Sequence, residues 1–447
     1  MNHSVSPLVI ILAAGQSKRM LSSMSKVLHP VGGLPLLGHV LHTAQALNPC
    51  AIALVRGDDG DDVEAFAKTI APDIQSFIQH ERLGTAHAVL AARQAILAYG
   101  DHPIVILLGD APFVSELIIT HNLEALQQGA GMSVTAFHTD NPFGYGRMVM
   151  EGEQLLRIVE QKDATEKEQA ISFCNSGLMT FAGEHCLSIL EAIEPNNAQK
   201  EYYITDAVTI CNQRGLTVKA IDAPQNDFIG INDRRQLAFA ESFFQQRKRQ
   251  DILQQGVTLT APETVFFAYD TKLEQDVVVE PHVVFGKGVY VEKGSFIRSF
   301  SHLEGCYIGQ NAQIGPYARL RSDSHIAQNA KIGNFVETKK VAIGEGAKVN
   351  HLSYIGDAEI GAKANIGAGT ITCNYDGFSK HKTKIGEGAF IGSNSALVAP
   401  VEIGDGAYVG SGSVITDDVE ADDLALGRAR QSIIKGWAKK FRETFKR

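Results

Sequence analysis

Residues 385–414 read IGEGAF IGSNSA LVAPVE IGDGAY VGSGSV, five successive blocks of six, most of them opening on an aliphatic residue followed by glycine. An aliphatic side chain that returns at every sixth position cannot hold to one face of a long amphipathic helix, where apolar residues recur at three and four. The period suits a β-solenoid, in which each short strand turns one aliphatic side chain inward and the chain bends at small residues. Each coil buries its aliphatic row only by stacking on the next. Glycine and alanine fill the corners, where bulk or an unfavourable φ would be costly.

Outward from that stretch the block recurs as IGQNAQ at 308, IGPYAR at 314, IGNFVE at 332, IGEGAK at 343 and IGAKAN at 360. If three blocks close one triangular coil, roughly eight or nine coils fit before residue 416. Phase is lost between Ile366 and Ile385. There Thr372–Lys384, TCNYDGFSKHKTK, is expected to be a loop pushed out of the solenoid, a place where function commonly sits. Past the repeats, Ser432–Arg447 reads as a basic amphipathic helix with Ile434, Trp437, Phe441 and Phe445 on one side. Packing on the solenoid or on a neighbouring subunit is expected there in preference to a membrane surface.

The first half has a different grammar. The chain has 447 residues, too many for one ordinary core. Leu8–Leu12, Ala51–Val55, Ile104–Leu108 and Met132–Phe137 read as buried strands, and Leu36–Leu47 and Ala86–Leu97 as helices. That alternation implies a mostly parallel, Rossmann-like sheet covered on both faces, with ligands outside the carboxyl ends of its strands. Residues 234–255 lack turn signals before Gly256 and read as a connecting helix whose Arg-Lys-Arg run is a solvated face. The expected domains are therefore 1–233, a linker at 234–255 and 256–447. The opening apolar run is short and has no basic segment before it, which predicts a first strand and a cytoplasmic protein with no stable membrane insertion.

A net charge of −9 gives nucleic acid no global attraction, so anionic ligands must be held by local basic clusters. The six cysteines are scattered and form no CxxC pair, so neither a zinc ribbon nor a disulfide framework is indicated. After the first strand come Leu12-Ala13-Ala14-Gly15-Gln16-Ser17-Lys18-Arg19-Met20 and Ser25-Lys26-Val27-Leu28. Small residues let backbone N–H groups approach a phosphate, and Arg19 and Lys26 add positive charge. The pattern is neither GxxxxGK[ST] nor GxGxxG, which argues against a P-loop ATPase and a dinucleotide dehydrogenase. Asp110 follows the strand Ile104–Leu108. It could be an ordinary helix cap, or with Asn232 one of the few oxygen ligands that Mg²⁺ takes besides substrate phosphates.

In the second half Arg319-Leu320-Arg321, Asn334 to Lys340, Asn350-His351-Leu352-Ser353-Tyr354, Asn365 and the loop Asn374-Tyr375-Asp376-Gly377 are polar residues that a plain solenoid does not need. Cations rising from successive coils would make a phosphate site. His351 is the natural general base for an attacking amine. Cys373 invites a nucleophile reading, but no histidine partner is specified for it.

The LAAGxxxRM…PK-like pattern of the first half resembles the sugar-phosphate nucleotidyltransferases. The repeats resemble the left-handed parallel β-helix of hexapeptide proteins. Here the resemblance alone gives the handedness, against the general right-handed crossover rule. Both halves in this order, nearly end to end, resemble the bacterial bifunctional N-acetylglucosamine-1-phosphate uridyltransferase/glucosamine-1-phosphate acetyltransferase family. That resemblance implies synthesis of UDP-N-acetylglucosamine, for peptidoglycan and lipopolysaccharide precursors, from glucosamine 1-phosphate, acetyl-CoA and UTP with Mg²⁺. It implies that Ala13, Ala14, Gly15, Gln79, Gly84 and Thr85 read the uridine. Arg19 and Lys26 hold the phosphates, and Gly146, Glu160, Asn175 and Thr205 the acetylated sugar. Asp110 and Asn232 hold Mg²⁺. Arg321, Lys339, Tyr354, Asn365 and Lys380 take glucosamine 1-phosphate, with His351 as base. Ala368, Asn374, Tyr375, Ser393, Ser411 and Arg428 meet acetyl-CoA. It implies a homotrimer with acetyltransferase sites built between neighbouring solenoids.

Two departures stand out. Leu108 lies where many relatives have Tyr, which predicts weaker contact with the nucleotide. Leu320-Arg321-Ser322-Asp323 replaces LRPG, a changed corner beside an unchanged charge. Three other readings compete: a nucleotidyltransferase whose solenoid only oligomerises or regulates, a non-catalytic scaffold, and a membrane-surface protein acting through its basic tail. Lys26, Arg19 and Asp110 argue against the scaffold. His351, Lys339 and the Asn374-Tyr375 loop argue against a purely structural solenoid.

Overall fold

The structure, a computed structural model, describes residues 6–15 and 18–445, Lys18 by its backbone alone; Gln16 and Ser17 of the glycine loop, and Lys446 and Arg447 of the expected tail helix, lie outside the described residues. The chain divides into two compact units, Met1–Phe244 and Gln245–Arg447.

In the first unit the hydrogen-bonded path of strands runs Val218–Asp222, Met132–His138, Phe173–Phe181, Ile104–Leu108, Leu8–Leu12, Ala51–Arg56 and Gln75–Ile78. Leu8–Leu12 is parallel to both neighbours, with Leu8 opposite Ala51 and Ile104. The central strands Leu8–Leu12 and Ile104–Leu108, with residues 51–55, are apolar because both faces are covered: Leu8, Ile10, Ala53, Ile104 and Ile106 enter one core, and Val9, Ile11, Leu54, Val105 and Leu107 the other. Only Phe173–Phe181 runs antiparallel to both strands it lies between, and it also pairs with the hairpin Arg147–Glu151/Gln154–Val159. The strand pattern of the first half did not announce this inserted antiparallel pair. The expected helix Ala86–Leu97 is two helices, Thr85–Ala91 and Arg93–Ala98, broken where the N–H of Ala92 bonds Val89 O in a tighter turn.

The second unit is a three-faced stack of short parallel strands. One face carries ten of them, from Thr258–Leu259 to Leu424–Ala425, nine before residue 416. Down it Val279, Ile297, Ile314, Ile332, Val349, Ile366, Ile391 and Val409 pair rung to rung and are buried. The step is 17 or 18 residues, except from Ile366 to Ile391, where 391 − 366 = 25 shows the extra length of the expected loop. A second row reads Leu320, Thr338, Ile355, Thr372, Leu397, so two threonines stand among aliphatic rungs. Neither hydroxyl is orphaned: Thr338 shares a hydrogen bond with Ser324, and Thr372 Oγ1 accepts from Gly356 N at 2.8 Å.

At the changed corner Asp323 takes φ 64°, a left-handed conformation that Asp tolerates better than most residues, so a glycine is dispensable there. The tail departs from expectation. Its helix is only Trp437–Phe445, because Gly436 at φ 73° interrupts the chain before it, leaving Ile434 outside. Trp437, Phe441 and Phe445 stack along one stripe yet stay exposed, so they do not pack on the solenoid of their own chain. No helix among the described residues is long and apolar enough to cross a membrane.

Candidate functional site

The carboxyl ends of Leu8–Leu12 and Ile104–Leu108 lie side by side, and Gly109 N donates to Leu12 O at 2.9 Å. A Cβ on Gly109 would come 3.1 Å from that carbonyl, which explains a glycine at this crossing. The two loops open a crevice of about 320 Å³ lined by Ala13, Ala14, Gly15, Lys26, Gln79, Gly84, Thr85, Leu108 and Asp110. Every residue expected to read the uridine is among them. Gln79 is 5 % exposed, and its amide donates to Gly84 O at 3.3 Å. Gly84 sits at φ 120° and would thrust a Cβ to 2.5 Å from Tyr202 O, so only glycine fits. Thr85 Oγ1 accepts from Ile204 N at 3.0 Å, tying this wall to the segment that carries Thr205.

Gly146, Glu160, Asn175 and Thr205 form an adjoining cluster. Asn175 N donates to Gly146 O at 2.8 Å, and Thr205 Oγ1 to Glu160 Oε1 at 3.2 Å. Burial pushes the Glu160 carboxyl above the usual carboxylate range; the Thr205 hydrogen bond opposes this, Asp206 and Asp163 add to it, and Arg147 opposes it. Leu108 lies against Gly177, whose N–H donates to Asn175 Oδ1 at 3.0 Å, so this leucine borders the sugar cluster as well as the crevice.

Asp110 and Asn232 are brought together. Lys26 Nζ contacts Asp110 Oδ2 and donates to Asn232 Oδ1 at 3.0 Å. Among the described residues no group of three or more His, Cys, Asp and Glu could hold a metal. One carboxylate oxygen and one amide oxygen, both hard donors and both facing a cation already, fit a Mg²⁺ ion that takes its remaining ligands from phosphate and water. Arg19 is exposed and near Asp233, whose carboxyl is held low first by the Gln236 N–H and also by Arg19.

On the solenoid, stacked strands place Arg319, Glu337, Tyr354 and Ile371 on successive coils. Arg321 Nη1 bonds Glu337 Oε1 at 2.9 Å. The Lys339 ammonium is pushed below its usual range by Lys380 first and Arg321 next, so these cations crowd one another on a partly exposed surface where Arg321 also pairs with Glu337. Such crowding is relieved by a bound dianion.

His351 and Asn365 lie on the neighbouring face. His351 is paired with Asn334, and its Nδ1 meets Asn334 Oδ1 at 2.5 Å. An amide oxygen only accepts, so Nδ1 is the donor in this pair, the tautomer that in a neutral ring leaves the lone pair on Nε2. The next residue, Leu352, is held at φ 53°, a strained conformation for a bulky side chain. No hydrogen bond or ion pair among the described residues joins His351 or Asn365 to the cation cluster.

The excursion is a small hairpin in which Tyr375 pairs with Lys380 and His381 N donates to Asn374 O at 2.8 Å. Asn374 is buried and bonds Asp357, while Tyr375 and Phe378 project, 60 % and 96 % exposed. Ala368 and Ser393 are linked rung to rung through Asn394 N to Ala368 O, and Ser393 to the rung of Ser411 through Gly412 N to Ser393 O. Arg428 is exposed beyond them.

Sequence reasoning gave no role to three of the residues now found at these sites. Arg82 Nε donates to Ala14 O at 2.7 Å, and Arg82 lines the crevice; its signal was a cation two positions before Gly84-Thr85. Asn334 orients His351. Arg147 is 1 % exposed and bonds Tyr145 O and Gln161 Oε1, with its Nε unpartnered.

Residues 9–202 match the family model of the MobA-like NTP transferase domain, and residues 305–340 and 382–417 that of the bacterial transferase hexapeptide (six repeats). The solenoid is accordingly a left-handed β-helix. The chain is similar to proteins named "Bifunctional protein GlmU": 52 % identical to that of Agrobacterium fabrum over 99 % of this chain and 97 % of the relative. The identity is 52 % with that of Azorhizobium caulinodans, over 96 % of each. It is 49 % with that of Zymomonas mobilis, over 98 % of each.

Proposed function

Because the chain belongs to the GlmU family of bifunctional proteins, we propose that it makes UDP-N-acetylglucosamine from glucosamine 1-phosphate in two steps, one in each compact unit. The observation that carries this reading is the pairing of two unlike anion sites in one chain. One is a strand-end crevice with Lys26, Asp110 and Asn232. The other is the group of Arg321, Lys339 and Lys380 on one face of the solenoid, with a hydrogen-bonded His351 on the next face.

In the solenoid Arg321, Lys339 and Lys380 hold the sugar phosphate, with Tyr354 and Asn365 completing the sugar site. The sugar amine attacks the thioester carbonyl of acetyl-CoA. The C–N bond forms and the C–S bond breaks; His351 Nε2 takes the amine proton and passes it to the departing sulfur, so the coenzyme leaves as thiol. No acyl-enzyme is needed. Ala368, Ser393 and Ser411 lie on linked rungs along which the coenzyme would run, with Asn374, Tyr375 and Arg428 as further contacts. His351 and the cations stand on different faces, and much of the site is exposed in the single chain. A homotrimer in which neighbouring solenoids close each site accounts for both facts.

In the first unit a phosphate oxygen of N-acetylglucosamine 1-phosphate attacks the α-phosphorus of UTP. The bond to the β-bridging oxygen breaks and pyrophosphate leaves. Mg²⁺, held by Asp110 and Asn232, supplies charge neutralisation on the phosphates when bound. Arg19 and Lys26 stabilise the departing charge. The crevice loops read the uracil, and Gly146, Glu160, Asn175 and Thr205 orient the sugar, so positioning and electrostatics carry the rate. The product suits a cytoplasmic supply of peptidoglycan and lipopolysaccharide precursors.

Purified protein given glucosamine 1-phosphate, acetyl-CoA, UTP and Mg²⁺ should release free thiol and then pyrophosphate. Omitting acetyl-CoA should suppress both, and adding N-acetylglucosamine 1-phosphate should restore pyrophosphate alone. Pyrophosphate release without any acetylated sugar would reject the order of the steps. Absence of thiol release would reject the solenoid assignment.

A further inference from the structure

Asp110 and Asn232 are the oxygens assigned to the divalent cation, yet both are engaged by one ammonium group. Lys26 Nζ sits on Asp110 Oδ2 and, at 3.0 Å, on Asn232 Oδ1. The pair is largely shielded, with the Lys26 and Asp110 side chains 12 % and 18 % exposed, so solvent screens it less than a surface pair. No other ion pair of Asp110 occurs among the described residues. A divalent ion held by those two oxygens would share them with the ammonium and lie close to it. Two cations at that separation repel strongly at any dielectric found in a protein crevice. Metal and lysine therefore cannot occupy the site together.

Lys26 has somewhere else to go. It lines the same crevice as Ala13, Ala14 and Gly15, where the phosphates of a nucleotide would lie. Its flexible four-carbon stem lets the charge swing between a carboxylate and a phosphate without moving the backbone.

We propose that Lys26 is the resident cation of the metal site in the nucleotide-free protein, and that the triphosphate opens the site to a divalent cation by drawing Lys26 onto itself. The inference rests on the uridylyl-transfer reading and extends it to an order of binding, nucleotide before metal. Lysine then serves twice, holding the site neutral and closed when empty and neutralising phosphate when full. The coupling is reciprocal: whatever the triphosphate does for metal affinity, metal does for triphosphate affinity.

The test measures Mn²⁺ binding to the full chain by the electron paramagnetic resonance signal of free Mn²⁺, with and without a non-hydrolysable UTP analogue. Without nucleotide, Lys26→Ala should bind Mn²⁺ tighter than the wild type by about tenfold or more, because the competitor is gone. The factor by which the analogue improves Mn²⁺ affinity should shrink in the variant, since phosphate ligation remains but displacement of lysine does not. Arg19→Ala removes an equal charge without vacating the two oxygens and should change Mn²⁺ affinity less than about threefold. A wild-type-like cooperative unfolding transition of each variant reports that the first unit is folded, and Lys26→Met stands in if the alanine variant fails that check. If Lys26→Ala binds Mn²⁺ no tighter than the wild type while both still bind it with the analogue, the gating idea is wrong and the uridylyl-transfer reading survives. If Arg19→Ala tightens binding as much, general charge is the cause and the proposal falls. If no form binds Mn²⁺ even with the analogue, the metal assignment itself falls and takes this inference with it.

Discussion

Gly146→Ala isolates the sugar subsite of the first unit. A methyl at residue 146 would lie 2.9 Å from Ile158 Cγ2, 3.2 Å from Glu160 Oε1 and 3.5 Å from Asn175 Cβ. Gly146 is not in the left-handed region, so the backbone accepts alanine and the cost is steric alone. Ile158 is 5 % exposed and packed in the core, so the strain falls on Glu160, which the Thr205 hydrogen bond holds in place. Overpacking of this kind costs about 1–3 kcal/mol. Expressed in sugar binding, that is about a fivefold to hundredfold rise in KM for N-acetylglucosamine 1-phosphate. The assay is pyrophosphate release with each substrate varied in turn. KM for UTP should stay within about twofold, because no uridine-reading residue touches the new methyl, and acetyl transfer by the same chain controls for folding. Gly144→Ala is the contrast. It has open space around it but φ 90°, so it strains the loop by about 1–2 kcal/mol without filling the subsite, and its sugar KM should move far less. Equal rises in both KM values for Gly146→Ala, or no rise in either, would refute the steric argument.

His351→Ala should reduce thiol release by at least about a hundredfold and leave pyrophosphate release from UTP and N-acetylglucosamine 1-phosphate intact, as expected for loss of a general base; a parallel fall in both assays would contradict two separate sites. Chelation of divalent cations should abolish pyrophosphate release and spare thiol release, measured on one preparation, and loss of thiol release on chelation would count against the mechanism given for the solenoid. Glu160, with its carboxyl raised by burial, binds protons more readily folded than unfolded, so its contribution to stability is present below the ordinary carboxylate pKa and is lost as pH rises through the raised value. Glu160→Gln should therefore flatten the fall of the urea midpoint across that window, and an unchanged slope would show that Glu160 is not the group responsible. Thr372→Val leaves the N–H of Gly356 without the acceptor it has at 2.8 Å, at a cost of about 1–3 kcal/mol, and should raise KM for acetyl-CoA by loosening the base of the Asn374-Tyr375 hairpin. Thr372→Ser should retain wild-type behaviour in calorimetry and kinetics, and a serine variant as weak as the valine one would assign the effect to packing.

The repeat was legible because the force that stacks the coils also writes the period: Ile314, Ile332, Val349 and Ile366 must be aliphatic to bury one another. The first-unit strands Leu8–Leu12 and Ile104–Leu108 were legible for the same reason, being apolar on both faces. Phe173–Phe181 escaped notice because Asn175, Ser176 and Gly177 interrupt its apolar run, where its pairing with Met132–His138 shifts register between Asn175 and Met179. The tail helix was read too long because Ile434 continues the apolar spacing, while Gly436 silently breaks the backbone. Resemblance supplied the uridine-reading residues, and the crevice gathers all of them. It gave no role to Arg82, Asn334 or Arg147, whose work is to hold other residues in place. A residue that positions another leaves no periodic trace, since its partner is distant in sequence and known only once the chain is folded.

The solenoid does more than carry its site. Arg321 and Lys339 are 339 − 321 = 18 residues apart, one turn of the stack, and the hydrogen bond from Arg321 N to Thr338 O fixes the two strands at adjacent rungs. Neighbouring rungs lie about 4.8 Å apart, so the repeat holds two like charges closer than free side chains would settle. The repulsion is visible in the lowered basicity of Lys339, to which Lys380 from the excursion contributes most. Nothing in a hydrophobic stack rewards that arrangement, and Glu337 offsets only part of it. The aliphatic rows fix where these cations stand, and a phosphate dianion bound there as proposed would lessen their mutual repulsion. The period that packs the core is thus also the ruler that spaces the charges, which is why the residues proposed for catalysis appear as polar exceptions at fixed places in an apolar rhythm.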